Sequence, residues 1–337
     1  MRQFVSSRVN QLKPSGIRRY FDIANELDDV VTLGIGEPDF TTPQHIMSAG
    51  IQSLEQGRTG YTANAGDLAL REAISTHVER LYGLAYSPQS EVLVTVGVSE
   101  ALWLALQAIL ELGDEVLVIE PCFVANAAAV EMAGGVPVSV PTSVEHEFQV
   151  TGAALESRIT DRTKAILMSY PNNPTGAVLT DEHMRQVAAV AEKYDLVVIS
   201  DEIYERLVYG IEHVNFATLP GMRERTIVLS GMSKAYAMTG WRIGYATAPE
   251  AILDAMKKLH QYLIMSAPTI SQVASIRALQ FGEADVAHMR DHYDRRRRLI
   301  VGAFNEMGLE CFEPRGAFYA FPHVAHTGWD DETFCEL

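Results

Sequence analysis

Along the middle of the chain, short runs of β-branched and other apolar residues alternate with longer stretches in which apolar positions recur every three or four residues. Residues 91–96, 115–119, 136–140, 164–169, 196–200, 226–230 and 242–247 read as strands, and 100–112, 124–133 and 181–194 as intervening helices. This alternation is the signature of βαβ units and predicts an α/β fold on a mostly parallel sheet flanked by helices. Ligands of such sheets lie beyond the carboxyl ends of the strands, so the residues following each strand are the ones to search for chemistry.

The flanks follow different patterns. Ahead of the sheet block, Gly34-Ile-Gly-Glu-Pro-Asp-Phe-Thr-Thr-Pro43 is dense in turn formers and predicts an ordered loop. Behind it, residues 249–281 and 283–307 are helical in pattern, and 308–322 alternates like a strand pair around Arg315-Gly316. The predicted division is 1–48 as an amino-terminal arm and part of a small domain, 49–282 as the large domain, and 283–337 as a smaller α+β domain, incomplete at its carboxyl end. A length of 337 residues exceeds the size at which one core usually keeps growing and agrees with this division.

Composition narrows the class. A net charge of −16 argues against a nucleic-acid binder, and the basic run Arg295, Arg296, Arg297 and Arg298, in a helical segment, reads as a solvated face. The 3 cysteines, Cys122, Cys311 and Cys335, lack the paired spacing of zinc sites or disulfide frameworks, so no metal is expected and a reducing cytoplasm fits. Met1 is followed by polar residues, and the apolar stretch 101–110 is too short to span a bilayer, so no membrane partner is expected.

Four strand-end stretches carry candidate chemistry. In Ser230-Gly-Met-Ser-Lys-Ala-Tyr-Ala-Met-Thr-Gly-Trp-Arg-Ile-Gly244, Lys234 sits among small residues just past a strand. A partly desolvated lysine there has a depressed pKa and can condense with an aldehyde, while Arg242 offers a planar fork suited to phosphate. Taken alone, Lys234 also reads as a surface lysine with a buried stem. In Ser200-Asp-Glu-Ile-Tyr-Glu205, Asp201 ends an apolar strand and needs a partner, for which a protonated pyridine nitrogen serves; helix capping is the alternative. Tyr204 can donate its hydroxyl nearby. Tyr170-Pro-Asn-Asn-Pro-Thr-Gly176 makes a rigid platform for Asn173, whose amide suits a phenolic oxygen, although an Asn-Pro pair is commonly only a turn. Val94-Thr-Val-Gly-Val-Ser-Glu100 opens a helix whose amides at Val98, Ser99 and Glu100, with the Ser99 hydroxyl, can cradle phosphate; Ser99 as a simple N-cap is the alternative. Phe123, at a further strand end, suits either ring stacking or the core.

In this order the four stretches resemble the pyridoxal-phosphate (PLP) enzymes of fold type I, specifically the class I aminotransferases. The resemblance runs from about Ser15, through the Gly34-to-Pro43 loop, to Gly316-Ala-Phe-Tyr-Ala-Phe-Pro322. It implies a large PLP-binding domain with a smaller α+β domain, and transfer of an amino group between an L-amino acid and a 2-oxo acid by ping-pong chemistry. Carried over by residue, it makes Lys234 the Schiff-base lysine, Asp201 the partner of the pyridine nitrogen, and Asn173 and Tyr204 the donors to the ring oxygen. Phe123 then covers a ring face, and Val98, Ser99, Glu100, Ser233 and Arg242 hold the phosphate. Gly36 matches the glycine whose backbone approaches the substrate carboxylate. Tyr61 matches a tyrosine that reaches the neighbouring subunit's cofactor, which implies a homodimer.

Two departures and two rivals accompany the resemblance. Relatives continue through a further strand and helix bearing an arginine that grips the substrate α-carboxylate, and no arginine follows Arg315; the expectation is either a truncated chain or weakened carboxylate recognition. Asn126 stands where many relatives carry an aromatic residue. Aromatic, aspartate and acetylated-diaminopimelate aminotransferases share every motif quoted, so the resemblance implies an amino acid of any of these kinds, with the opening Ser15-Gly-Ile-Arg-Arg-Tyr-Phe-Asp22 tilting slightly towards the aromatic or diaminopimelate-related branches. The rivals are a C–S β-lyase on the same fold and a non-catalytic PLP-binding homologue.

Overall fold

The computed structural model describes residues 36–337 without a break, together with 4–6, 9, 10, 12, 16, 23 and 34. Apart from Gly16, the Ser15-to-Asp22 stretch lies outside the described residues, as does most of the predicted arm up to Gly36.

Two helices precede the sheet, α1 (Gln44–Glu55) and α2 (Leu68–Tyr82). Neither was foreseen in the sequence. α2 is nonetheless well signalled, with the Asp67 side chain accepting from the Ala69 amide at its start and Gly83 in a left-handed conformation at its end. There follow β1 (Val92–Thr95), α3 (Gly97–Ile109), β2 (Glu115–Glu120), α4 (Ala125–Met132), β3 (Val136–Pro141), α5 (Gly152–Glu156), β4 (Thr163–Ser169), α6 (Asp181–Lys193), β5 (Val197–Asp201), β6 (Thr226–Gly231) and β7 (Gly244–Thr247). The chain continues through α7 (Glu250–Leu263), α8 (Thr269–Phe281), α9 (Glu283–Glu306) and the short α10 (Asp331–Glu336).

The seven strands form one sheet in the order β1-β7-β6-β5-β4-β2-β3. All neighbours are parallel except those of β7, which runs antiparallel to both β1 and β6. Helices cover both faces, which is why the central strands read as unbroken apolar runs. Along β2 and β4 the side chains alternate between two cores. Val116, Val118, Ala165 and Leu167 pack with Leu102, Leu104 and Leu106 of α3 and with Leu253 and Met256 of α7. Leu117, Ile119, Ile166 and Met168 pack with Leu155 of α5 and with Met184 and Val187 of α6.

Three expectations change. The helical stretch 249–281 is two helices, parted ahead of Pro268, which caps α8. Residues 308–322 form only isolated bridges, Cys311 to Pro322 and Val208 to Gly316. Their backbone groups are spent elsewhere: the Gly316 amide donates to Gly176, that of Ala317 to Leu207, and Arg315 accepts from Tyr209. The basic run is not wholly solvated either. The Arg297 side chain is 11% exposed and bonds Asp294 and Glu313, while Arg296 reaches Asp39. No helix among the described residues is long and apolar enough to cross a membrane.

Candidate active site

Strand register brings the candidate residues to one edge of the sheet. Ser169 at the end of β4 pairs with Asp201 at the end of β5, and Gly231 at the end of β6 pairs with Gly244, the first residue of β7. Because β7 is reversed, the turn carrying Lys234 and Arg242 begins and ends at this same edge. Thr95 of β1 also faces Gly244, so the first turn of α3 arrives there as well.

Lys234 is the centre of the group. Its Nζ donates to the Gly36 carbonyl and lies 5.7 Å from the centre of the Tyr204 ring and 5.6 Å from that of Phe318. Desolvation lowers its pKa to about 8, against the pull of Glu37 and Asp201 and with a further push from Arg242. Asp201 shows the converse. It is partly accessible at the mouth of β5, yet desolvation raises it to about 6, opposed by the Ile203 amide, which Oδ1 accepts at 3.1 Å. That bond caps a turn, not a helix, so the capping alternative holds only locally. Tyr204 is buried, and its hydroxyl meets that of Tyr319.

At the phosphate end, a Cβ on Gly97 would lie 2.6 Å from Arg242 Nη2, and one on Gly244 would lie 2.7 Å from the Gly97 carbonyl carbon and 2.8 Å from the Val98 nitrogen. Only bare backbone lets the guanidinium rest against the first turn of α3. Val96 is the N-cap of that helix and offers no side-chain bond, so Ser99 is its third residue and not its cap. The first amides, at Val98 and Ser99, are left for an anion. The Glu100 carboxylate is tied back, accepting from the Val96 amide and pairing with His260 Nδ1 at 2.8 Å. Ser233 is buried in the turn.

Asn173 is half-buried and makes no side-chain hydrogen bond among the described residues, because its neighbour holds the loop. Asn172 Nδ2 donates to Pro121 and Ser169 carbonyls, and its Oδ1 accepts from the Thr175 amide and hydroxyl. Phe123 follows β2 at this edge and is 39% exposed, so it is not core. Tyr61 is 82% exposed, beside Arg58, Thr62 and Thr269, and away from Lys234.

Several further residues shape the site without standing out in the sequence. Asn172 and Thr175 lie in the Tyr170-to-Gly176 stretch and Tyr319 in Gly316-to-Pro322. Glu202, Glu205 and His213 form a buried network beneath Asp201. Glu202 accepts from Ser200 and the Phe216 amide and pairs with His213 Nε2 at 2.6 Å; Glu205 accepts from Tyr82 and Ser230. Burial alone would push His213 down, but Glu202 carries it above its usual value. With every carboxylate oxygen already accepting, this cluster acts as scaffold for the β5 edge.

The assembled groups suit a small phosphate ester bearing an aldehyde: an amine that loses its proton far more readily than an ordinary lysine, a carboxylate with no ion pair among the described residues, hydroxyl and amide donors, and an anion cradle. Comparison with known proteins agrees. The family described as Aminotransferase class I and II matches residues 28–336. The aspartate aminotransferase of Pyrococcus abyssi is 44% identical over 336 residues, 99% of this chain and 86% of that protein. Aromatic-amino-acid aminotransferase 2 of Thermococcus litoralis is 41% identical over the same shares. Among solved structures, Thermus thermophilus aspartate aminotransferase with maleate superposes with a TM-score of 0.94 at 40% identity, covering 99% of this chain and 88% of that one.

Proposed function

The chain belongs to the class I and II aminotransferases and is an amino-group transferase, and from that premise we propose that it holds pyridoxal 5'-phosphate on Lys234 and moves amino groups between L-amino acids and 2-oxo acids. Enzymes of this family use that cofactor. When bound, it supplies an aldehyde carbon that receives the amino group and a ring that withdraws electrons from the substrate Cα.

The chain's own residues do the rest. Lys234 Nζ, freed by the incoming amine, would take the Cα proton as base and deliver it as acid to the carbon that receives the amino group, a role suited to a pKa of about 8. Asp201 keeps a proton on the ring nitrogen, and that cation supplies the partner the half-buried carboxylate lacks. Tyr204 and Asn173 donate to the ring oxygen. Arg242, Ser99, Ser233 and the amides of Val98, Ser99 and Glu100 hold the phosphate, and Phe123 covers one ring face. The backbone at Gly36 meets the substrate carboxylate. Tyr61, exposed in the single chain, is completed by a homodimer in which it reaches the partner's phosphate.

The observation that carries this reading is the desolvated Lys234 amine facing Asp201, with the Arg242 and α3 cradle on the same sheet edge. Substrates are amino acids of the aspartate, aromatic or diaminopimelate kind, as the relatives' names suggest. The test is nitrogen transfer. With PLP, 2-oxoglutarate and 15N-labelled aspartate or phenylalanine, the label is expected in glutamate; release of label only as ammonia would refute the reading.

A further inference from the structure

Tyr319 enters the site from the segment whose predicted strand pairing failed, and the reason it does so is visible in the backbone. A Cβ on Gly316 would collide with the Pro171 ring, so this glycine lets the segment press against the Asn173 loop. The Gly316 amide donates to Gly176 on that loop, and the Ala317 amide donates to Leu207 in the turn after Tyr204. Held from both sides, the segment presents Tyr319 with its ring 5.6 Å from that of Tyr204, edge on, and 5.1 Å from that of Phe318. The hydroxyls of Tyr204 and Tyr319 are hydrogen-bonded, and a Cβ on Gly36 would strike the Tyr319 hydroxyl.

We infer that Tyr319 is a positioning residue for the cofactor, donating its hydroxyl proton to Tyr204 Oη and so committing the Tyr204 proton to the ring oxygen. The inference rests on the site reading above, in which Tyr204 is such a donor. Each hydroxyl has one proton. Once Tyr204 gives its proton to the cofactor, the bond between the tyrosines survives only with Tyr319 as donor. Tyr319 has no other hydrogen-bond partner among the described residues, so nothing competes for that proton. A donor that is itself accepting is the stronger donor. The titratable and charged groups facing the pair are Asp201 on β5, Tyr293 on α9 and Lys234, with Glu37 and Arg242 acting on Lys234.

The consequence is spectroscopic. Donation to the ring oxygen weakens that oxygen's hold on a proton shared with the lysine nitrogen, so losing donation raises the pH at which the bound chromophore titrates. Absorbance titrations of PLP-loaded wild type, Tyr319→Phe, Tyr204→Phe and the double variant are the test. Phenylalanine keeps each ring and its packing. We expect Tyr319→Phe to raise the midpoint by about 0.3 to 1 pH unit, Tyr204→Phe to raise it further, and the double variant to match Tyr204→Phe alone. An unmoved midpoint in Tyr319→Phe beside a shifted one in Tyr204→Phe, or shifts that add in the double variant, would overturn the inference and leave the site reading intact. Absence of a lysine-bound chromophore in wild type would overturn the site reading itself, and this inference with it.

Discussion

At the scale of single residues, burial acts in opposite senses on the two groups that define the site. It lowers Lys234 to about 8 and raises Asp201 to about 6, so each charge is held less firmly near neutral pH than in the unfolded chain. For the cofactor-free chain this has a thermodynamic sign. Asp201 takes up a proton more readily folded than unfolded, so its contribution to stability is greatest below the unfolded carboxylate range and is lost as pH rises through about 6. Asp201→Asn is therefore expected to stabilise the cofactor-free chain by about 1–2 kcal/mol at pH 7.5, with the gain vanishing towards pH 4. Urea unfolding across that range measures it. The same substitution is expected to cut amino transfer by at least about a hundredfold, because the ring nitrogen loses its charge partner. The placing of Lys234 and Asp201 at the ligand-bearing edge was legible in the sequence because each follows an apolar strand, where a polar side chain is conspicuous. The approach of Tyr319 to Tyr204 was not, since it joins segments distant in the chain.

At the scale of elements, the seven strands were legible to within about two residues, the inner ones because burial on both faces makes them continuous apolar runs, the exposed edge strand β3 through its β-branched composition. The 308–322 segment misled for the opposite reason. Its alternation is real, but its backbone partners are loops and not a second strand. The cradle between α3 and β7 shows what a weak local pattern hides. Gly97 has φ of +71°, and a side chain there meets the Arg242 guanidinium. Gly97→Ala is expected to cost about 1–3 kcal/mol in backbone strain and to lower PLP affinity at least tenfold by displacing Arg242. The check is fluorescence titration with PLP set beside urea unfolding; unchanged PLP affinity would mean that Arg242 does not hold the phosphate.

For the whole molecule, the exposed side chains around Tyr61 point to assembly. Asn64 donates to the Met265 carbonyl and Thr269 to that of Gly60, which joins the Tyr61 loop to the exposed Tyr262, Leu263, Ile264 and Met265. Such a patch is typical of a subunit interface, and the proposed homodimer, built on it, would give Tyr61 a cofactor to contact. Mixing Lys234→Ala with Tyr61→Ala subunits tests this. Each variant alone is expected to have little activity, whereas their heterodimers carry one site with both residues intact and regain up to about half of wild-type activity per site pair. No recovery on mixing would place Tyr61 outside the neighbouring site. The division at about residues 48 and 282 was drawn from the change of pattern on either side of the sheet block, whereas the proposed dimer came from the resemblance alone, since an interface leaves no mark in local periodicity.

Borohydride reduction of the PLP-loaded chain followed by peptide mass mapping tests most directly whether Lys234 carries the cofactor. We expect the pyridoxyl group on the peptide containing Lys234, with capture by the free chain quickening as pH rises towards about 8 and then levelling. A pyridoxyl group fixed on any other lysine, with Lys234 unmodified, would contradict the account.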